Sequence, residues 1–498
     1  MNVNPITRLD YPDPDVIRVE DTYYMVSTTM HFMPGCEILQ SFDLVHWEHV
    51  SYVYETLDHT DAQQLKSGQN IYGQGMWAAS LRYHEGRFYI CFVANDTRKT
   101  YLYTSEKIDG PWKKQLIEGF YHDGSLLFDE DGRNYIVYGN DEIWITELNE
   151  DLTAPKKDGL HRLLVSDHKN PELGYEGSHI QKINGYYYIF LIHSLRDRWM
   201  RTEACFYSDS LEGEFTGGDV LCDDRGYCGQ GVAQGGIVDT PDGKWYAMLF
   251  QDSGAVGRIP ILLPVTWKDH FPFFGQNGHV PEEIEVHSTR PGYIYQPLVG
   301  SDDFCNGLLP RWQFNHDPDP RYYHLDTLQG TYTITTREVC TELTQAVNTL
   351  TQRMSYPSCA AEVTVDASAL KEGDVAGLCA LQSCYAAVGI TKHHGKYEVL
   401  MLDKKEDGIL DMTEGTVVES HQMDFRLEAD FCNMKDEARC YYRVNKGDWL
   451  PIGTVHKLYF KLDHFTGCRF GLFCYAAEET GGSACFRDFK YYDVDEIS

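Results

Sequence analysis

Three carboxylates in the N-terminal part of the chain sit in settings that chemistry can use, among 75 Asp and Glu in all. Asp13 lies in YPDPDVIRV between Pro12 and Pro14. Those prolines fix the backbone on both sides and remove two amide donors, which predicts a rigid, extended mount. Asp123 lies in FYHDGSLLF and Glu176 in GYEGSHI, each beside glycine and apolar residues. Each precedes a tyrosine-bearing strand signature by the same interval to within one position, Asp13 before Tyr24, Asp123 before Tyr135 and Glu176 before Tyr188. A shared offset predicts three carboxylates facing one cavity. One such group, ionised, can activate water, while another, protonated, donates to a leaving oxygen. In inverting glycoside hydrolysis the two stand roughly 6.5–9.5 Å apart to admit that water. A third carboxylate raises the acid's pKa, because like charges in a dry cavity resist joint ionisation. Two carboxylates would leave retention or metal binding open, and three suit inversion better.

Equal offsets require a repeated element. The signature is a turn, often Asp-Gly or Asn-Gly, followed by an aromatic-rich strand. It recurs around Tyr24, Tyr89, Tyr135, Tyr188 and Tyr246. Units of roughly 40–60 residues, with several short strands and little helical periodicity, predict propeller blades, and five copies predict five blades. A sandwich, the rival all-β fold, does not repeat one strand signature five times. After Arg258 the repeat fades through IPILLPVTW and a Pro/Gly-rich connector. From Ser301 the chain restarts with alternating strands such as YTITTREV and AAEVTVDAS. The expected division is a propeller over 1–298 and a β-sandwich over 299–498.

Composition narrows the partners. A formal net charge of -32 argues against nucleic acid and anionic membrane, which call for basic patches. The 34 tyrosines and 9 tryptophans favour strands, and flat rings also stack on sugar faces. No basic, apolar leader opens the chain and no run reaches the ~18–20 apolar residues of a membrane span. Fifteen cysteines without a CxxC pair suggest reduced thiols and a cytoplasmic protein. No Cys/His cluster has zinc spacing.

The motifs NPITRLDYPDPDVIRVEDTYYMVSTTM, GMWAASLRYHEGRFYI, HDGSLLFDEDGRNYIVYG and YEGSHIQKINGYYYIF resemble glycoside hydrolase family 43, the β-xylosidases, α-L-arabinofuranosidases and arabinanases. GGIVDTPDGKWYAMLFQDSGAVGRIP extends the likeness to about residue 270. The resemblance implies a general base at Asp13, a general acid at Glu176 and a pKa-tuning, orienting Asp123. It also implies substrate contacts at Trp77, Arg258 and Phe32, with a core role as the alternative for Trp77. The C-terminal part is similar to the concanavalin-like sandwich of the β-xylosidase branch, which can lend a loop to the pocket rim. Departures are Gly124 and Ala79 where the family often has proline, and Ala233 and Gln234 in VAQGG where many members carry a channel histidine. The last leaves a channel calcium ion without its usual ligand, and the acid/base chemistry needs no cofactor.

The expected activity is therefore exo-acting, inverting release of xylose from the non-reducing end of xylo-oligosaccharides. α-L-Arabinofuranosidase or dual activity is the alternative, since the two pentoses present similar hydroxyl arrangements. The substrate is then a pentose-containing oligosaccharide, imported rather than polymeric. A homo-oligomer is compatible with the sequence. A non-catalytic sugar-binding propeller would lack one of the carboxylates, and a phosphorylase would gather Arg, Lys and His around them for phosphate. Neither pattern is present.

Overall fold

The computed structural model describes residues 2–461 and 466–493. Five four-stranded antiparallel sheets form the N-terminal part. Their first strands are Asp15–Val19, Met76–His84, Ser125–Phe128, Glu176–Ile183 and Val232–Asp239. Each first strand contacts that of the next blade, and the fifth returns to the first, so the ring closes around a central axis. The tyrosine signature falls on the second strand of every blade: Thr22–Val26, Arg87–Ala94, Asn134–Asn140, Tyr186–Ser194 and Trp245–Asp252. These strands are sandwiched between neighbouring blades, so β-branched and aromatic side chains fill both faces. Asn2–Val3 pairs with Glu283–Ile284 and straps the N-terminus to the connector.

The C-terminal part is a β-sandwich. One sheet has seven strands, from Tyr323–Asp326 at one edge to Leu450–Lys457 at the other. The facing sheet has nine, and one of them comes from the propeller: Phe32 and Met33 pair with Asn315 and Phe314. The core between the sheets holds Trp312, Leu350, Val363, Leu378, Phe425, Phe470 and Phe486, and it takes in Ala255, Val256 and Ile259 of blade 5.

Buried charges reinforce this joint. Arg353 of the sandwich lies 2.7 Å from Glu37 of blade 1 and donates from Nε to the Asp10 carbonyl at 2.8 Å. The Asp10 carboxylate accepts from the Arg258 and Gly467 amides, both at 2.7 Å. A buried carboxylate is tolerable only when its lone pairs are filled in this way. Among the described residues no helix is long and apolar enough to cross a membrane.

Candidate active site

All five blades enter their first strand through the same backbone kink. The residue at that point has a left-handed φ in each case: Asp13 (52°), Ala78 (36°), Asp123 (48°), Gly177 (64°) and Gln234 (58°). In blades 2, 4 and 5 the register with the second strand breaks there, between Trp77 and Ser80, Glu176 and His179, and Ala233 and Gly236. Such a bulge re-aims a side chain without interrupting the sheet. The extended mount expected at Asp13 is thus corrected: despite Pro12 and Pro14, its φ is 52°.

Two residues past the kink, side chains turn to the axis and knit the blades together. Asp15 Oδ2 accepts from the Leu81 amide (2.7 Å), Ser80 Oγ from Leu126 (3.2 Å) and Ser125 Oγ from Ile180 (3.0 Å). His179 Nδ1 meets Asp15 Oδ1 at 3.1 Å. In blade 5 the position is Gly236, where a methyl group would come within 3.3 Å of that nitrogen. A ring built this way fixes the kinks above it, and with them the carboxylates.

Asp13 is buried and both its oxygens are held: Thr28 Oγ1 donates to Oδ2 at 2.6 Å and Arg258 Nη1 to Oδ1 at 2.7 Å. Asp13, Asp123, Gly177 and Gln234 share a cavity of about 10 Å³, the room of roughly one water. Asp123 Oδ2 accepts from the Gly177 amide at 2.9 Å, so the residue after Glu176 is tied to Asp123. Asn140 donates to Glu176 Oε2 at 2.6 Å. The Glu176 side chain is 19% exposed against 7% for Asp123 and 4% for Asp13, so it alone of the three reaches the mouth.

His122 completes the cluster. Its Nε2 lies 3.5 Å from Asp123 Oδ2 and 3.5 Å from Glu176 Oε2. Burial opposes its charge, yet Asp123, Glu176 and Asp13 lift its pKa to about 9. Burial and the facing Glu176 raise Asp123, against the pull of His122. Burial would raise Glu176 too, but the His122 imidazole 3.5 Å away, then Arg201 and Arg258, hold it below the ordinary carboxylate range. The balance therefore runs opposite to the expected raising of Glu176, toward charge on the imidazole. The reason is a neighbouring cation, which outweighs the repulsion between carboxylates.

The other expected residues fall differently. Trp77, half-buried, stands 6.3 Å from the His122 ring, beside the mouth, as a wall residue would. Arg258 is buried against Asp13 and within 3.3 Å of Asp252, over the Phe250 ring, and contacts the expected base directly. Phe32 differs from expectation. It is fully buried, packed with Leu343, Leu381 and Phe473 of the sandwich, and its ring lies 3.5 Å under the Arg469 guanidinium. The loop that carries it has become a sandwich strand, so Phe32 seals the domain joint rather than presenting a face to substrate.

Sequence reasoning passed over His122, Asn140, Thr28 and Trp199. His122 had one signal, its place directly before Asp123. Trp199 is 42% exposed on the loop after Tyr186–Ser194, at the Glu176 end of blade 4, with the Arg201 guanidinium 5.1 Å from its ring. Arg201 in turn donates to Asp252 at 2.8 Å.

Calcium in the channel does not suit the residues present. The axial carboxylate Asp15 is already filled by Leu81, Arg82 and His179, and Gln234 offers only a neutral donor. A larger cavity of about 470 Å³ opens at the opposite end of the channel, where Arg18 and Lys182 pair with Asp239 and Glu130.

Comparison with known proteins identifies the family. The model of glycosyl hydrolases family 43 matches residues 3–272, and that of the β-xylosidase C-terminal concanavalin A-like domain matches 301–492. A β-xylosidase of Formosa agariphila is 26% identical, over 99% of this chain and 89% of its own. A non-reducing end α-L-arabinofuranosidase of Bacteroides ovatus is 24% identical, over 82% and 79%. Among solved structures, a bifunctional GH43-CE protein of Bacteroides eggerthii superposes with TM-score 0.93 at 42% identity. It covers all of this chain, which spans 64% of that longer one. A propeller with three inward carboxylates, a concanavalin-like partner domain and a family match over more than half its length place this chain in glycoside hydrolase family 43.

Proposed function

We propose that this enzyme releases xylose from the non-reducing end of xylo-oligosaccharides with inversion, Asp13 acting as base, Glu176 as acid and Asp123 as the orienting carboxylate. The observation that carries this reading is the difference in setting between Asp13 and Glu176. Asp13 is deep, with both oxygens fixed by Thr28 and Arg258, as a group that must aim a water requires. Glu176 is nearer the mouth and within reach of a proton source, as a group that must meet a leaving oxygen requires. Asp123, bonded to the Gly177 amide, fixes the backbone beside the acid. Relatives named β-xylosidase favour xylose as the released sugar. α-L-Arabinofuranosidase activity is the second reading, supported by the Bacteroides ovatus relative and by a Butyrivibrio fibrisolvens xylosidase/arabinosidase that this chain matches over 99% of both lengths.

The test compares initial rates on aryl β-D-xylopyranoside, aryl α-L-arabinofuranoside and xylobiose for wild type, Asp13→Ala and Glu176→Ala. We expect Asp13→Ala to lose about a hundred- to ten-thousand-fold on every substrate that wild type cleaves. Glu176→Ala should lose more on xylobiose than on an aryl glycoside whose leaving group needs little protonation. NMR of the first-formed sugar reads its anomeric configuration, and a retained anomer would sink the inverting assignment. Cleavage of neither aryl substrate would sink the choice of sugar.

A further inference from the structure

We infer that His122 is the proton store of the acid, holding on Nε2 the proton that passes to Glu176 when substrate fills the site. The proposal rests on the reading of Glu176 as the acid. Its geometric basis is one nitrogen placed 3.5 Å from the oxygens of both Asp123 and Glu176, with all three atoms within 4.8 Å of one another. The His122 carbonyl is fixed by the Gly139 amide at 3.0 Å, so the ring hangs from the blade that also supplies Asn140 to Glu176. Trp77 stands beside the ring.

The charges around the imidazole come from four of the five blades, blade 2 supplying Trp77 instead. Asp13 lies on blade 1, Asp123 on blade 3, Glu176 and Arg201 on blade 4, and Arg258 on blade 5. Three carboxylates face it and two arginines stand behind Glu176, so the pocket favours imidazolium, in line with a His122 pKa of about 9. A sugar entering the mouth removes water from Glu176 and weakens the ionised carboxylate relative to the neutral acid. The proton then moves from His122 Nε2 to Glu176 Oε2. Glu176 delivers its proton to the glycosidic oxygen as the anomeric C–O bond breaks, water adds to the anomeric carbon, and its proton goes to Asp13. Asp13 returns that proton to solvent, and solvent recharges the Glu176–His122 pair.

A storage site has a consequence that a packing residue does not. Adding a third group to a carboxylate pair that shares a proton can only raise the affinity of the whole cluster for it. Wild type should therefore keep its activity up to a pH near 9, the pKa of His122. In His122→Gln, which keeps an amide donor but cannot store a proton, the alkaline limb of kcat/KM on xylobiose should move at least about one unit toward acid. His122→Asn serves as a second variant, and each is first matched to wild type by circular dichroism. An unmoved limb in either folded variant overturns the proposal. The acid assignment is checked apart from it: if Glu176→Gln still cleaves xylobiose at the wild-type rate, the assignment beneath the proposal falls. If Glu176→Gln is inactive and the limb stays put, only the role of His122 falls.

Discussion

Thr28 aims the Asp13 carboxylate from one side as Arg258 does from the other, and its hydroxyl also accepts from the Ala78 amide at 2.9 Å. It joins the kinks of blades 1 and 2 through one oxygen. Thr28→Ala removes a bond to a charged group and leaves the half-buried Ala78 amide unfilled, at about 1–3 kcal/mol. If half or more of that loss is felt in the transition state, kcat/KM falls about twofold to 150-fold while KM changes little, which steady-state kinetics will read. Trp199 predicts the opposite pattern. Its exposed ring, at the Glu176 end of blade 4, offers a flat platform to a sugar ring. Trp199→Ala should raise KM for xylotriose several-fold and leave the aryl xyloside nearly unaffected. The three carboxylates were legible because they precede the repeated tyrosine by nearly one interval, although Asp13 and Asp123 stand on the kinks of their blades and Glu176 one residue before its own. His122 was not, because a single histidine beside an aspartate has no spacing to test. Phe32 was misplaced because its contacts lie with Leu343, Leu381 and Phe473, so far along the chain that local pattern carries no information about them.

Each first strand owes its function to one left-handed residue. The offset to the tyrosine related Asp13, Asp123 and Glu176, but not the kink residues Ala78, Gly177 and Gln234 of blades 2, 4 and 5. The kink was hidden because prolines on both sides of Asp13 argue locally for extended backbone, whereas bonds from Thr28 and Arg258 hold the other conformation. In blade 4 the kink falls on Gly177, whose amide also reaches Asp123. A methyl group there would strain a φ of 64° and lie 2.7 Å from Gln234 Cγ. Gly177→Ala should lower stability by about 1–2 kcal/mol from the backbone alone. It should also reduce kcat, since the residue joins Glu176 to Asp123. Thermal unfolding and kinetics together check this, and a fully active variant would show that the kink is not needed to aim the acid. Five blades could be read from the repeated strand. The borrowed ninth strand of the sandwich could not, for Phe32 and Met33 alone have no periodicity.

The two domains are welded by charge as well as by apolar surface. Burial would raise the Glu37 carboxyl, but Arg353 and His49 hold it at about 2, against an ordinary value of 4.5. A carboxyl lowered in the folded state stabilises above its unfolded pKa, and that contribution is lost as pH falls from 4.5 toward 2. Its size is of order 3 kcal/mol. Asp10 acts with the opposite sign: burial lifts it to about 6, so its contribution is full below 3.8 and disappears as pH rises through 6. Glu37→Gln should therefore unfold at lower temperature than wild type at pH 5, with the gap narrowing toward pH 2, as differential scanning calorimetry would show. A gap constant across that range would mean that the Glu37–Arg353 pair is not what links the domains.

The same weld sets a timetable for a chain made from its N-terminus. Met33 must wait for Phe314, and Glu37 for Arg353, partners that emerge much later in synthesis. At about 5–20 residues per second, the roughly 300 residues between them take roughly a quarter of a minute to a minute on the ribosome. The four strands of blade 1 are complete by Tyr54, while the Phe32–Met33 strand and Glu37 that it lends to the joint wait for the sandwich. A nascent propeller thus spends that time with an open strand edge and a buried carboxylate without its arginine, an interval of vulnerability that ends when the sandwich arrives.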